Sequence, residues 1–171
     1  MEPEDQFNLE GLDELDTQLK LYQMGVESYS PYVSTGKVDM IIRSEDGESV
    51  RYADVKVCAG IKEDNKVIWK LDITFFMDNE SFIILAIRLP EENGVFEKHH
   101  FVLESKKFLQ IAKKHKLKVQ DDAWFVSLPY SDLQIINNQL KSKLSSSLAK
   151  SLKRYFDNWD SLLAWRNKPG Y

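Results

Sequence analysis

The chain has 171 residues, 43% hydrophobic and 29% charged, with only 7 Gly and 5 Pro. That is the composition of one ordinary α/β-sized domain, and it excludes collagen-like, low-complexity and disordered chains. The net charge of −4 is unevenly spread, with 10 Lys/Arg against 21 Asp/Glu in residues 1–98 and 13 against 6 in residues 99–171.

The first helical pattern covers residues 9–24, where Leu12, Leu15, Leu19 and Tyr22 recur at spacings of three and four and so share one face. Gly25 stands where such a helix stops. Residues 26–32 read as a short extended stretch. A strand–turn–strand unit follows: residues 37–43 (KVDMIIR), a turn at Glu45-Asp46-Gly47, and residues 49–58. Residues 67–76 form a third apolar run after the turn signal Glu63-Asp64-Asn65. Residues 81–89 (SFIILAIRL) are almost wholly apolar, the pattern of a strand buried on both faces. Residues 95–103 return as a further strand, 105–115 are helical with Phe108 and Ile111 inward, 123–128 are a strand, and 131–165 are helical with a break near Ser145 to Ser147. The order gives one mixed α/β domain, its sheet built from residues 37–43, 49–58, 67–76 and 81–89 with helices on both faces. The core spans about residues 9–128, with a C-terminal helical extension over about 131–165.

Three charged residues occupy strand positions that a purely structural chain would fill with apolar ones. Asp39 lies within VDMII, and Asp54 and Lys56 lie within YADVKV. Strand side chains alternate, so Asp54 and Lys56 project from one face while Ala53, Val55 and Val57 fill the other. Charges on an inner strand cost desolvation unless they are paired or functional. The chemistry that suits them is metal-assisted phosphodiester hydrolysis. Mg²⁺ takes one or two carboxylates and keeps several waters. Asp39 and Asp54 would supply the carboxylates, the Val55 carbonyl a further oxygen, and Lys56 would position or deprotonate water or offset charge on the phosphorane. Base work by Lys56 requires a depressed pKa.

Asp39, followed fifteen residues later by Asp54-Val55-Lys56 on the next strand, resembles the PD-(D/E)xK nuclease superfamily, the restriction-endonuclease-like fold. Upstream, Gly11-Leu12-Asp13-Glu14 with Leu19 and Gly25 is similar to the first helix of its resolvase-type members, with Glu14 eleven residues before the helix-ending glycine. The chain departs from the pattern at Val38, where the family name has proline, and at Val57 onward, where no Gln follows Lys56 in the strand. The resemblance implies metal binding (Mg²⁺ or Mn²⁺) by Asp39 and Asp54, catalysis by Lys56, a supporting role for Glu14, and a nucleic acid, DNA first, as partner.

Other readings stand beside this one. Asp54 and Lys56 could be a self-paired couple on a solvated strand face, contributing at most ~1 kcal/mol. The whole chain could be a catalytically inactive nuclease-fold module that binds nucleic acid or protein. His99 and His100 point to opposite faces and so cannot chelate one ion together, which makes them edge-strand histidines. Lys70 and Asp72 read as solvent-facing. Lys113-Lys114-His115-Lys116 reads as a solvated helix end or a phosphate contact, and Lys141, Lys143, Lys150, Lys153 and Arg154 as an amphipathic surface or a basic ridge. Trp159, Leu162, Leu163 and Trp165 form an apolar clamp that docks on the body or on a second subunit, the latter giving a homodimer. P-loop, GxSxG and zinc signatures are missing. The single Cys58 excludes an internal disulfide, no apolar run approaches the ~18 residues of a membrane span, and the acidic amino terminus lacks the apolar core of a secretory signal. The expectation is a soluble cytoplasmic protein.

Overall fold

The computed structural model describes residues 3–31, 38–45, 49–73 and 80–168, with side chains from residue 11 onward. The expected turn at 45–47 and the last residues of the 67–76 run lie partly outside the described residues. The elements are α1 (Pro3–Gln23), β1 (Glu27–Tyr29), β2 (Met40–Glu45), β3 (Val50–Ala59), β4 (Ile61–Glu63), β5 (Lys66–Asp72), β6 (Ser81–Pro90), β7 (Phe96–Glu104), α2 (Ser105–His115), β8 (Lys118–Gln120), β9 (Ala123–Pro129), β10 (Ile135–Ile136), β11 (Gln139–Leu140), α3 (Ser147–Leu152) and α4 (Asp160–Asn167).

The central sheet is mixed, in the order β1-β2-β3-β6-β7, with β3 and β6 parallel and the other pairs antiparallel. β6 sits inside it, and residues 81–87 are all buried, as an unbroken apolar run requires. One face packs Met40, Ile42, Ala53, Val55, Val57 and Ile84 against Leu21 of α1 and against Trp159, Leu162 and Trp165. The other face packs Ile83, Leu85, Phe101 and Leu103 against Phe108 and Ile111 of α2, Leu148 and Leu152 of α3, and a second sheet. The fold is mixed α/β with helices on both faces of the central sheet. Trp159, Leu162 and Trp165 are buried in the chain's own core, so the C-terminal clamp docks on the body.

Three expectations need correction. The run 67–76 does not join the central sheet. Its described part is β5, which pairs with β4 and β9 in a separate sheet ordered β4-β5-β9-β8. Val67, Trp69 and Leu71 are buried while Lys66 and Lys70 are exposed, and a strand with one wet face does not belong at a doubly covered centre. The second sheet is fastened to the first by the Trp69 indole, which donates to the Ala86 carbonyl at 2.8 Å. Gly60 makes this approach sterically feasible, because a Cβ there would lie 2.6 Å from Trp69 Nε1.

Residues 131–165 are not continuously helical. A 3-10 turn at Tyr130–Asp132 leads into the β10–β11 hairpin, whose turn residues Asn137 and Asn138 have φ of 52° and 59°, the left-handed region that Asn tolerates. Buried Asp132 then accepts from the backbone N–H of Ser145 and Ser146 at 2.8 and 2.9 Å, and Ser146 caps α3. Leu144, Leu148 and Leu152 keep their period of four and are buried.

In α1 the shared face of Leu12, Leu15, Leu19 and Tyr22 exists, but it is turned to solvent, with relative exposures of 48%, 62%, 55% and 79%. The helix docks instead through Asp13, Thr17 and Leu21, all buried. Lys98 of β7 draws this side down by ion pairs to Asp13 and Asp16. The histidines lie on an edge strand, as expected, but both are covered. His99 and His100 of β7 are buried because the segment around Phe156 and Asp157 covers them. His99 lies between Asp157 (2.6 Å) and Glu91 (2.7 Å), and His100 packs edge-on to Trp159.

Candidate functional site

The register of β2 on β3 sets Ile41 across from Asp54 and ends with Met40 across from Val55; Asp39, just before β2, meets Lys56 through its side chain. Cross-strand partners share a face, and so do residues two apart on one strand. Asp39, Asp54 and Lys56 therefore project from one face of the sheet, opposite the core made by Met40, Val55 and Val57. From Cys58 onward this face is covered by the second sheet, whereas the side towards β1 is open.

Asp39 is fully engaged. Lys56 Nζ donates to its Oδ1 at 2.9 Å, and the Val57 N–H donates to its Oδ2 at 2.6 Å. Its own N–H donates to the Val55 carbonyl at 3.0 Å. The two side chains of the pair are only 8% (Asp39) and 17% (Lys56) exposed. Burial pulls the Lys56 ammonium towards neutrality, but Asp39, by charge and hydrogen bond, with Cys58 and Glu14 adding weaker attraction, holds its pKa above the ordinary lysine value. The depressed pKa that base work requires is therefore not what this environment produces: Lys56 stands as a cation. Glu14, on α1, acts on it as a more distant negative charge.

Asp54 is the opposite case. Its backbone is fixed between Ile41 and Ser81, and its N–H donates to the Glu80 carbonyl at 3.2 Å. Its carboxylate makes no hydrogen bond or ion pair with the described residues. Partial burial alone raises its pKa. The self-paired Asp54–Lys56 couple is thus replaced by a cross-strand Asp39–Lys56 pair. No cluster of three or more His, Cys, Asp or Glu side chains suited to a metal occurs among the described residues. The donors on this face are oxygens, two carboxylates and the Val55 carbonyl, a set that fits a hard cation retaining several waters and does not fit a closed zinc site.

Sequence reasoning missed the surroundings of Asp54. Tyr29 on β1 lies across from Ile41, and Tyr52 lies across from Arg43, so both tyrosines flank the open side of this face, and both are exposed. Tyr52 was findable as the residue two before Asp54, but Tyr29 was not, because nothing local signals that a three-residue strand pairs with β2. Asp72 lies half-buried on the second sheet and Lys70 is exposed there, apart from the three-residue face. At the end of α2, His115 is held by Ser151 at 2.8 Å. No helix among the described residues is long and apolar enough to cross a membrane.

No family model matches the chain, and no curated protein matches it. Among solved structures it is similar to a bacterial homing endonuclease, I-Ssp6803I, with a TM-score of 0.55 over 92% of this chain and 90% of that one. At 13% identity, the two proteins share a fold.

Proposed function

We propose that the chain is a divalent-metal-dependent nuclease of the PD-(D/E)xK type that hydrolyses phosphodiester bonds in DNA. The observation that carries this reading is the asymmetry on one sheet face: a lysine held as a cation by Asp39, beside a half-buried Asp54 carboxylate with no partner among the described residues. A carboxylate so placed is held ready for a ligand rather than for the fold. The similar fold of a homing endonuclease supports the same reading.

Asp54, one oxygen of Asp39 and the Val55 carbonyl would hold Mg²⁺ or Mn²⁺, which supplies a water acidified at neutral pH and neutralises charge on the phosphate. Lys56 is placed to donate hydrogen bonds to the attacking water or to a non-bridging phosphate oxygen, and its charge offsets the charge that builds in the transition state. Asp39 orients Lys56, and Glu14 reinforces its protonated state.

The test is cleavage of linear, supercoiled, single-stranded and branched DNA with Mg²⁺ or Mn²⁺ by the wild type, Asp54→Asn and Lys56→Ala. Activity that disappears in both folded variants is the expected result. A folded wild type that neither cleaves nor binds metal overturns it. The second reading, a nuclease-fold module that binds without cleaving, is favoured by one observation: both Asp39 oxygens are already taken by protein donors.

A further inference from the structure

Four basic residues of the C-terminal half, Lys107, Lys114, Lys150 and Arg154, line one groove. α2 presents Lys107, Gln110, Ile111, Lys114 and His115, and α3 with the turn after it presents Ser147, Lys150, Ser151, Arg154 and Tyr155, as the two walls of an open groove of about 600 Å³. None of these ten residues is acidic. The His115–Ser151 hydrogen bond ties the walls together. Six other cations, Arg43, Arg51, Lys56, Arg88, Lys98 and Lys141, each stand within 4 Å of a carboxylate. In the groove, Lys107, Lys114 and Lys150 have no such partner among the described residues. Arg154 is directed by the Tyr155 hydroxyl at 2.7 Å and the ring beneath it, not by an acid. Four like charges facing one another raise the free energy of the empty groove and lower it when an anion enters.

We infer that this groove binds the backbone of double-stranded nucleic acid, apart from the Asp39–Asp54–Lys56 face. Spacing argues for a polymer. Lys107 and Lys114 are two helical turns apart, about 10 Å along α2, too far for one phosphate to bridge and suited to a ligand with repeated charges. This inference rests on the nuclease reading for its choice of polymer, and it adds a surface that holds substrate away from the reacting phosphate.

Binding is tested by fluorescence anisotropy of a labelled 30-base-pair duplex in EDTA, over a salt series. Lys114→Gln/Lys150→Gln is expected to weaken binding at least tenfold at moderate salt and to reduce the slope of log K against log salt by roughly 2, about 1 for each phosphate that is no longer neutralised. Lys66→Gln/Lys70→Gln, on the second sheet, should bind as the wild type does. An unchanged slope in the groove variant overturns the groove while leaving cleavage to judge the nuclease site. Tighter binding of polyglutamate than of duplex overturns the choice of ligand, and cleavage that survives Asp54→Asn overturns the nuclease site alone.

A separate observation carries a second proposal. Leu12, Leu15, Leu19 and Tyr22 follow an a-d-a-d spacing along the outer face of α1, while the helix docks by Asp13 and Thr17, the latter with a buried hydroxyl that has no hydrogen-bond partner among the described residues. We propose that this seam pairs with the α1 of a second copy of the chain. The four side chains leave on the order of 500 Å² uncovered per copy, so a pair buries about 1,000 Å², enough for a specific interface. The flanking positions oppose no like charges, since Gln18 and Gln23 are neutral and Asp16 is held by Lys98 and Arg88. Light scattering at 5–200 μM should give a dimer for the wild type and a folded monomer for Leu15→Glu/Leu19→Glu. A wild-type monomer at 200 μM, or a variant that still dimerises, overturns the proposal.

Discussion

Removing the Asp39 charge should cost far more stability than removing the Asp54 charge, although the two carboxylates share one face. In Asp39→Asn the ammonium of Lys56, only 17% exposed, loses its partner at 2.9 Å. Stranding one member of a fully buried pair costs about 3–5 kcal/mol. Residual solvent access and the attraction of Glu14 bring this to roughly 2–3 kcal/mol, or about 4–12 °C in Tm for a chain of this size. Adding Lys56→Met to Asp39→Asn removes the stranded charge and should restore most of the loss, so the double-mutant cycle gives a coupling of roughly 2 kcal/mol. Asp54→Asn, by contrast, neutralises a carboxylate that burial disfavours and nothing compensates. Without metal it should leave Tm unchanged or slightly higher. Urea denaturation of the four cycle members and of Asp54→Asn at pH 7 in EDTA measures both effects. The Lys56 pKa is raised, so the pair's contribution is fully present below the unfolded lysine value near 10.5 and is lost as pH rises through the higher folded value. A coupling below about 0.5 kcal/mol, or a fall in Tm for Asp54→Asn as large as that for Asp39→Asn, would refute the reasoning.

Gly60→Ala would place a methyl 2.6 Å from Trp69 Nε1 and 2.9 Å from Val67, so the second sheet must shift. A loss of roughly 1–3 kcal/mol and a change in Trp69 fluorescence are expected on chemical denaturation. His100 is held near a pKa of about 4 by burial, against 6.5 when free, while His99 is raised: burial opposes the rise, and Asp157 and Glu91 outweigh it. The His100 contribution is therefore present above pH 6.5 and is lost as pH falls towards 4, a cost of roughly 3 kcal/mol, whereas that of His99 is present below 6.5 and is lost as pH rises through its folded value. His100→Leu should flatten the acid limb of a stability–pH curve relative to the wild type. Asp132→Ala should loosen the approach to α3, because two backbone N–H groups and the Ser145 hydroxyl lose a charged acceptor. About 2–4 kcal/mol of destabilisation and faster amide exchange at Ser145 and Ser146 are expected.

What could be read from the sequence was local. The period of two in Asp54-Val55-Lys56 and the unbroken run of β6 placed those residues on the correct faces, and α2 was legible to its ends. Pairing was not legible. Residues 67–72 have the same apolar content in either sheet, and only the partners, β4 and β9, decide which sheet they join. The long helix expected over 131–165 failed because the helical period of Leu144, Leu148 and Leu152 holds only for its middle, while Asp132 and the asparagine turn before it, non-local and conformational features, break the chain where apolar spacing does not report it. In α1 the stripe itself was correct, but its direction was decided by Lys98, which is more than 80 residues away in sequence and draws Asp13 and Asp16 inward.

The same distinction decides how the charged strand residues are understood. In the sequence, Lys56 has an acid two positions away, and a local couple is the simplest account of both charges. Across the sheet, however, Asp39 has the better claim, because cross-strand neighbours on one face stand closer than residues two apart on one strand. Once Asp39 takes the lysine, no group among the described residues pairs with Asp54: against them a neutral side chain would be at least as stable, and burial already resists its charge. A residue that the fold would do as well without is a residue whose presence calls for a ligand. Asp39→Asn/Lys56→Met and Asp54→Asn therefore separate the two roles: the double variant retains an unpartnered carboxylate without its neighbouring cation, and Asp54→Asn retains the buried pair without that carboxylate. If divalent cations raise the Tm of the wild type but not that of Asp54→Asn, the carboxylate is the part of this face that meets the metal, and the pair is the frame that holds it open.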